Sequence, residues 1–284
     1  MNLPARPRQP TLLAQLGAAL LYLAVAEATA LPLPGHALGV LLQPASGIAL
    51  VLLILGGTAL APALFFGSLL GSLLAGDAPL AALAQAMGAL TAAWVACVLL
   101  LRQPDFDTRH PSFKIVQQVL LRVCGAGAGA GALTASTGLV LAGHIAPDSW
   151  GTQLVHCWLG SSLGMLLTAP LALSYLRSLR FPEPLRRVDE GILVWVGAMA
   201  CAVAVFGNTQ NPGLAPLTNA YWMFLFVIWS GARLGLLSTM ALLCVIALQA
   251  LWGTYQRTGF FARDIATNHG FGYCVDSNPK LTHI

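Results

Sequence analysis

Charged residues are scarce in this chain. Of its 284 residues, 8% are Asp, Glu, Lys or Arg and 57% are apolar, whereas a soluble domain carries about a quarter charged residues. So few polar groups cannot cover a globule of this size in water, which excludes a soluble globular domain. The net charge of +4 comes without a basic cluster interleaved with aromatic residues, so it does not indicate nucleic-acid binding.

Sequence patterns for metal binding and catalysis are also lacking. The six cysteines form no CxxC pair and no His/Cys set has ligand spacing, so we expect no metal site and no cofactor. Neither an HExxH motif nor a Walker A loop occurs. Residues 160–164 formally match GxSxG, but this stretch lies inside a long apolar run rather than at a strand-to-helix turn. We therefore expect no nucleophilic serine and no enzyme activity.

Long apolar runs are what the sequence has instead. The runs 12–31, 80–101 and 236–252 are each long enough to cross the ~30 Å hydrocarbon layer at about 1.5 Å per residue. Strand-type alternation is absent, and helices satisfy every backbone polar group in lipid. The sequence thus predicts an all-α, polytopic transmembrane helix bundle of about nine spans, within a range of roughly eight to ten. The predicted helices are 11–31, 38–56, 59–76, 79–101, 115–142, 151–176, 190–206, 217–233 and 235–255.

Lys and Arg are distributed unevenly between the predicted connections. With a cytoplasmic N-terminus, the outer connections hold Asp77 and Asp148 but no Lys or Arg, which follows the positive-inside rule. Loops 102–114 and 177–189 are therefore predicted to be cytoplasmic. The predicted external loops are 31–37, 143–150 and 207–216. Nine crossings place the basic tail outside, against that rule, so we expect either a late segment that does not cross or a missing last helix.

Two features inside the apolar runs suggest specific roles. Glu27 lies near the outer end of the first predicted helix, where it is either functional or simply reaches water at the interface. A run of alternating glycine and alanine gives two GxxxG pairs, Gly125/Gly129 and Gly127/Gly131. Small residues at this spacing let a neighbouring helix backbone approach closely, so we expect helix packing rather than phosphate binding.

Three stretches together resemble a known family. They are 43–50 with 62–71, then 158–171, and finally 229–235 with 253–254 and 259–262. In order and spacing they are similar to the membrane-associated sensor domain of the first MASE class. That family is a multi-helix input module at the N-terminus of bacterial diguanylate cyclases, cyclic-di-GMP phosphodiesterases and sensor histidine kinases.

The chain departs from the family pattern at several positions. The family usually has Trp where this chain has Gln43, and a carboxylate where it has Ser161. It usually adds one more apolar helix where Arg263 and the following residues are polar. We therefore expect the last helix and any output domain to be lacking. The candidate ligand-binding or signalling residues are Glu27, Pro44, Gly47, Trp158, Gly160, Ser161, Gly164, Pro170, Trp229 and Arg233.

The resemblance implies a sensory function. We expect residues 1–262 to form a membrane-embedded input module and residues 263–284 to form a polar, poorly ordered tail. The module would lie in a bacterial inner membrane, detect a stimulus and pass it to a cytoplasmic output of the cyclic-di-GMP or two-component type. Its expected partners are the lipid bilayer, an output domain or protein, and a second copy in a homodimer. The alternative is a small secondary transporter or permease.

Overall fold

The computed structural model describes residues 11–30, 42–102, 124–180, 188–206 and 221–255. Every regular element in these ranges is helical, which confirms the all-α class. The helices are α1 (Leu12–Ala30), α2 (Pro44–Gly56), α3 (Ala61–Leu74), α4 (Pro79–Leu101), α5 (Gly125–Leu141), α6 (Trp150–Arg180), α7 (Val188–Phe206), α8 (Tyr221–Arg233) and α9 (Leu236–Tyr255). The predicted tail, 263–284, lies outside the described residues.

Several helices are long and apolar enough to cross a membrane. Judged by length and composition within the described residues, the candidate spans are Pro44–Leu74, Pro79–Leu101, Pro147–Leu179 and Asp189–Phe206. Shorter apolar helices are Leu12–Ala28, Gly125–Leu141 and Leu236–Ala250. These helices support a membrane protein, and the number of nine crossings stays a prediction.

The region predicted as two crossings, 38–56 and 59–76, contains two shorter helices, Pro44–Gly56 and Ala61–Leu74. Leu42 and Gln43 are not helical, and α2 begins at Pro44, whose fixed φ suits a first helical position. Gly57 then ends α2 with a positive φ of 68°, and one 3-10 turn leads into α3. At 13 and 14 residues, α2 and α3 are each about 20 Å long, shorter than the ~30 Å hydrocarbon layer.

The chain divides into two compact units, Met1–Leu173 and Ser174–Ile284. In the first, α4 and α5 run antiparallel, because Gly88 of α4 lies against Gly131 of α5 while Ala96 lies against Gly127. In contrast, α1 and α3 run in the same direction, since Gly67 meets Ala19 and, one turn later, Gly71 meets Leu23. Glycine and alanine form most of these contacts, so the helices approach closely.

In the second unit, α8 packs antiparallel to α7. Met223, near the start of α8, packs with Phe206 at the end of α7, whereas Leu234, just past the end of α8, contacts Gly191 near the start of α7. Helix α9 then runs parallel to α7. The Trp195 indole donates a hydrogen bond of 3.0 Å to Ser238, and later residues of α9 pack against the cluster around Phe206.

Candidate functional site

The first turn of α2 lies against the middle of α6. Helix α6 has 31 residues, and Gly164 lies about 21 Å from its first residue and about 24 Å from its last at helical rise. Helix α2 thus starts halfway along an apolar helix. We call this contact the α2–α6 junction, and it comprises Gln43, Pro44, Ser46 and Gly47 on one side and Gly160, Ser161, Gly164 and Thr168 on the other.

Two glycines allow this close approach. A Cβ atom on Gly47 would lie 2.7 Å from the carbonyl oxygen of Gly164 and would overlap the Thr168 hydroxyl. A Cβ atom on Gly164 would overlap the carbonyl oxygen of Gln43 and lie 2.7 Å from the Ser46 hydroxyl. Real Cβ atoms do not approach other atoms this closely, so each glycine is required by the packing of backbone on backbone.

Hydrogen bonds connect the two helices at the junction. The Gln43 N–H donates to the Gly160 carbonyl at 3.1 Å. The Ser46 hydroxyl shares its one proton between the Ser161 carbonyl at 3.0 Å and the Gln43 carbonyl at 2.7 Å. In return, the Ser161 hydroxyl donates to the Gln43 side-chain oxygen at 2.7 Å. The Thr168 hydroxyl lies 2.9 Å from the Pro44 carbonyl and 2.6 Å from the Gly164 carbonyl. These contacts satisfy polar groups that are buried or half-buried.

All the groups at the junction are neutral. Gln43 and Ser161, two of the positions at which the chain departs from the family pattern, contact each other directly. The Ser161 hydroxyl faces an amide oxygen, which cannot take up its proton as a catalytic base would. Within the described ranges no three His, Cys, Asp or Glu side chains come together in the manner of a metal site. The junction therefore connects two helices through neutral hydrogen bonds.

Trp158 connects α6 to α5. Its indole N–H donates a hydrogen bond of 2.9 Å to the Gly125 carbonyl, and ring atoms lie 3.7 Å from where a Cβ atom on Gly129 would be. This is ordinary van der Waals distance, so the glycine leaves space for the ring edge. Trp158 thus lies two residues before Gly160 of the junction and fixes α6 from another side.

The four glycines predicted to pack behave differently from one another. Gly127 and Gly131 face α4, where Cβ atoms on them would lie 2.9 Å and 2.6 Å from the carbonyl oxygens of Ala92 and Gly88. Gly129 faces Trp158 at ordinary distance. Among the described residues, a Cβ atom on Gly125 would have nothing within 4 Å, so its role in packing stays a prediction. A helix presents residues two apart to different directions, so alternate glycines cannot share one interface.

The remaining candidates lie elsewhere. Glu27 is half-buried, with a carboxylate oxygen 3.8 Å from where a Cβ atom on Gly71 would be. Pro170 is inside α6, just beyond the junction. Trp229 and Arg233 belong to α8 in the second unit, where Trp229 is 37% exposed and Arg233 is exposed in the last turn.

Sequence reasoning missed three junction residues: Gln43, Ser46 and Thr168. A signal for the last of these was present, because Ser161, Gly164 and Thr168 follow one another at helical spacing and so share one face of α6. Small and hydroxyl-bearing residues on one face of an apolar helix indicate a close helix neighbour. Which helix that neighbour is could not be read from the spacing.

The fold and the junction together define a helical membrane protein whose internal contacts are close-packed and uncharged. Residues 11–271 match the family MASE1, so the chain belongs to MASE1, a family of membrane sensory input domains. The matched range runs past residue 262, where we expected the module to end. No curated protein and no solved structure matches the chain.

Proposed function

We propose that this chain is the input module of a signalling system in a bacterial inner membrane. It detects a stimulus and transmits it to a cytoplasmic output of the cyclic-di-GMP or two-component type, while catalysis belongs to the output. Family membership supports the sensory role. The observation that carries the proposal is the α2–α6 junction, where two of the three family-like stretches meet through hydrogen bonds.

The proposed mechanism is a shift of packed helices. A stimulus moves a helix only if it favours one of two arrangements over the other. Close-packed interfaces change between discrete arrangements rather than deforming smoothly. The α2–α6 junction is such an interface, since Gly47 and Gly164 leave no free space for gradual sliding. A bound ligand or a change in the membrane that separates α2 from α6 would alter how α6 is held.

The proposed topology has nine crossings with a cytoplasmic N-terminus. The second unit supports its last part, because α8 runs back along α7 from Phe206 to Gly191. Arg233 therefore lies at the end of that unit where α7 begins. Arg186 and Arg187 immediately precede α7 in sequence, so three cations are assigned to one side, as the positive-inside rule requires.

A fusion to a reporter enzyme tests the sensory role. A diguanylate cyclase catalytic domain is joined to the N-terminus, which the proposed topology places in the cytoplasm, and cellular cyclic-di-GMP is measured. Ser161→Ala removes one bond of the junction and is expected to change the cyclic-di-GMP level. Ser162→Ala is the matched control, because the Ser162 hydroxyl is buried and has no hydrogen-bond partner among the described residues. Equal levels in wild type and both variants would argue against a sensory role for the junction.

A transporter remains the second candidate, and one observation favours it. The first residues of α2 lie against the middle of α6, next to hydroxyl and amide groups. In secondary transporters, helix ends at mid-membrane depth line the substrate site. Proteoliposomes containing the purified chain and a panel of labelled sugars, amino acids and organic acids test this. Solute flux that is lost in Gly164→Val would support a transporter and contradict the sensory proposal. A sensor is expected to move no solute.

A further inference from the structure

The middle of α6 combines several features that favour bending of a helix. Pro170 has no N–H, so it cannot donate to the Leu166 carbonyl one turn earlier. The Gly160 carbonyl accepts an additional bond from the Gln43 N–H, and the Ser161 carbonyl lies 3.0 Å from the Ser46 hydroxyl. The Gly164 carbonyl lies 2.6 Å from the hydroxyl of Thr168, one turn later in α6. Proline, glycine and inserted side chains are the usual causes of kinks in helices. Residues 160–170 of α6 therefore have the composition of a hinge.

Gln43 bonds to α6 with two of its groups and to α2 with a third. Its N–H bonds to the Gly160 carbonyl, and its side-chain oxygen accepts from the Ser161 hydroxyl. Its own carbonyl accepts both the N–H and the hydroxyl of Ser46, at 3.0 and 2.7 Å. The same carbonyl lies directly over Gly164. Gln43 thus connects the start of α2 to the turn of α6 between Gly160 and Gly164.

We infer that the Gln43–Ser161 hydrogen bond is a releasable clamp that keeps the first turn of α2 seated on a hinge in α6. Breaking it frees the side chain of Gln43 while leaving the glycine contacts to re-form when α2 returns. The signalling role of this clamp rests on the proposed function, but its existence does not. Both partners are neutral, so releasing the clamp exposes no charge to lipid.

The expected effect of losing the clamp follows from the strength of one hydrogen bond. A hydrogen bond between membrane helices contributes about 0.6 kcal/mol on average, which corresponds to about a threefold change in an equilibrium constant. Ser161→Ala and Gln43→Ala should each raise the population in which α2 is lifted from α6 by about that factor. Because both variants remove the same bond, the double variant should raise the population of lifted α2 no more than either single variant does.

Hydrogen exchange measured by mass spectrometry tests the clamp in the full chain, reconstituted in lipid nanodiscs. The readout is the exchange rate of peptides covering residues 42–50 and 157–169. Ser161→Ala and Gln43→Ala are expected to speed exchange in both peptides without additivity. Ser162→Ala, whose hydroxyl bonds to nothing within the described part of the chain, should leave the rates unchanged. Thermal unfolding of each variant verifies that it is folded.

The outcomes separate the clamp from the proposed function. The clamp is wrong if Ser161→Ala exchanges at the wild-type rate, or if Ser162→Ala speeds exchange as much as Ser161→Ala does. Either result contradicts the clamp even if the cyclase fusion responds. Faster, non-additive exchange in the two clamp variants alone supports the clamp. If cyclic-di-GMP in the fusion then stays at the wild-type level, the clamp stands and the sensory proposal fails.

Discussion

At the α4–α5 interface, we expect the glycines of α5 to differ in how well they tolerate replacement by alanine. On α5, Gly127 and Gly131 face α4, whereas Gly129 faces the edge of Trp158. A Cβ atom on Gly127 would lie 2.6 Å from the Ala96 Cβ and 2.9 Å from the Ala92 carbonyl oxygen. Both neighbours are fixed in position, because one is a backbone atom of α4 and the other is the Cβ atom of an alanine, which has no rotamer to change. Gly127→Ala therefore forces the two helices apart.

The cost can be bounded by comparison with a neighbouring glycine. Overpacking a tight core costs about 1–3 kcal/mol, while alanine in a helix interior gains about 0.5–1 kcal/mol over glycine. Gly129→Ala receives the same helix gain but meets Trp158 only at 3.7 Å. The difference between the two variants therefore isolates the packing cost, which we expect to be about 1–3 kcal/mol in favour of Gly129→Ala.

Thermal unfolding of the purified chain in detergent measures this difference. For soluble domains of 150–250 residues, each kcal/mol shifts Tm by about 2–4 °C, so Gly127→Ala should unfold several degrees below Gly129→Ala. Gly131→Ala should resemble Gly127→Ala, and Gly125→Ala should resemble Gly129→Ala, because no atom of the described residues lies within 4 Å of a Cβ atom on Gly125. Four variants with the same Tm would refute the packing described for this interface.

Three further predictions concern other contacts. Trp158→Phe removes the indole bond to Gly125 and should destabilise the fold by about 0.5–1.5 kcal/mol, measured as a lower Tm. Ser230→Ala leaves the Thr239 hydroxyl without its bond of 3.1 Å to Ser230 and should speed hydrogen exchange in peptides from α8 and α9. Asp148→Cys, in a chain without the native cysteines, should react with an impermeant thiol reagent added outside the cell.

Each of these predictions has its own control. Trp94→Phe is matched to Trp158→Phe and should leave Tm nearly unchanged. Trp94 is 49% exposed, and within the described part of the chain its indole donates no hydrogen bond. For Ser230→Ala, unchanged exchange would contradict the interior role of a side chain that is fully buried. For Asp148→Cys, labelling only after the cells are opened would reverse the proposed topology.

Much of the fold could be predicted from the sequence, because helix ends are marked locally. Pro79 starts α4 at the predicted residue and Arg102 follows its last residue. The predicted C-terminal ends of α5, α7 and α8 also fall within about one residue of the observed ones, inside the usual uncertainty of helix assignment. Such ends depend on proline, glycine and charge within one turn, which are visible without knowing the fold.

Contacts between helices could be predicted only in part. The glycine run predicted a close approach at α5, but not that Gly88, Ala92 and Ala96 of α4 form the matching surface. Those three residues repeat every fourth position among many other alanines, so nothing distinguishes them in the sequence. The start of α2 was misplaced for a similar reason, because residues 38–43 are as apolar as the helix that follows, except for Gln43.

The polarity of Gln43 was also the signal of its role, and the energetics of membranes explain why such a residue suits a moving contact. An unbonded amide or hydroxyl in an apolar interior costs several kcal/mol, so Gln43 and Ser161 favour being paired. Yet hydrogen bonds between membrane helices contribute only about 0.6 kcal/mol on average, because separated helices also find partners. A neutral pair is thus strong enough to select one arrangement and weak enough to exchange it. A buried ion pair would not allow this, since separating it leaves uncompensated charge at a cost of about 3–5 kcal/mol.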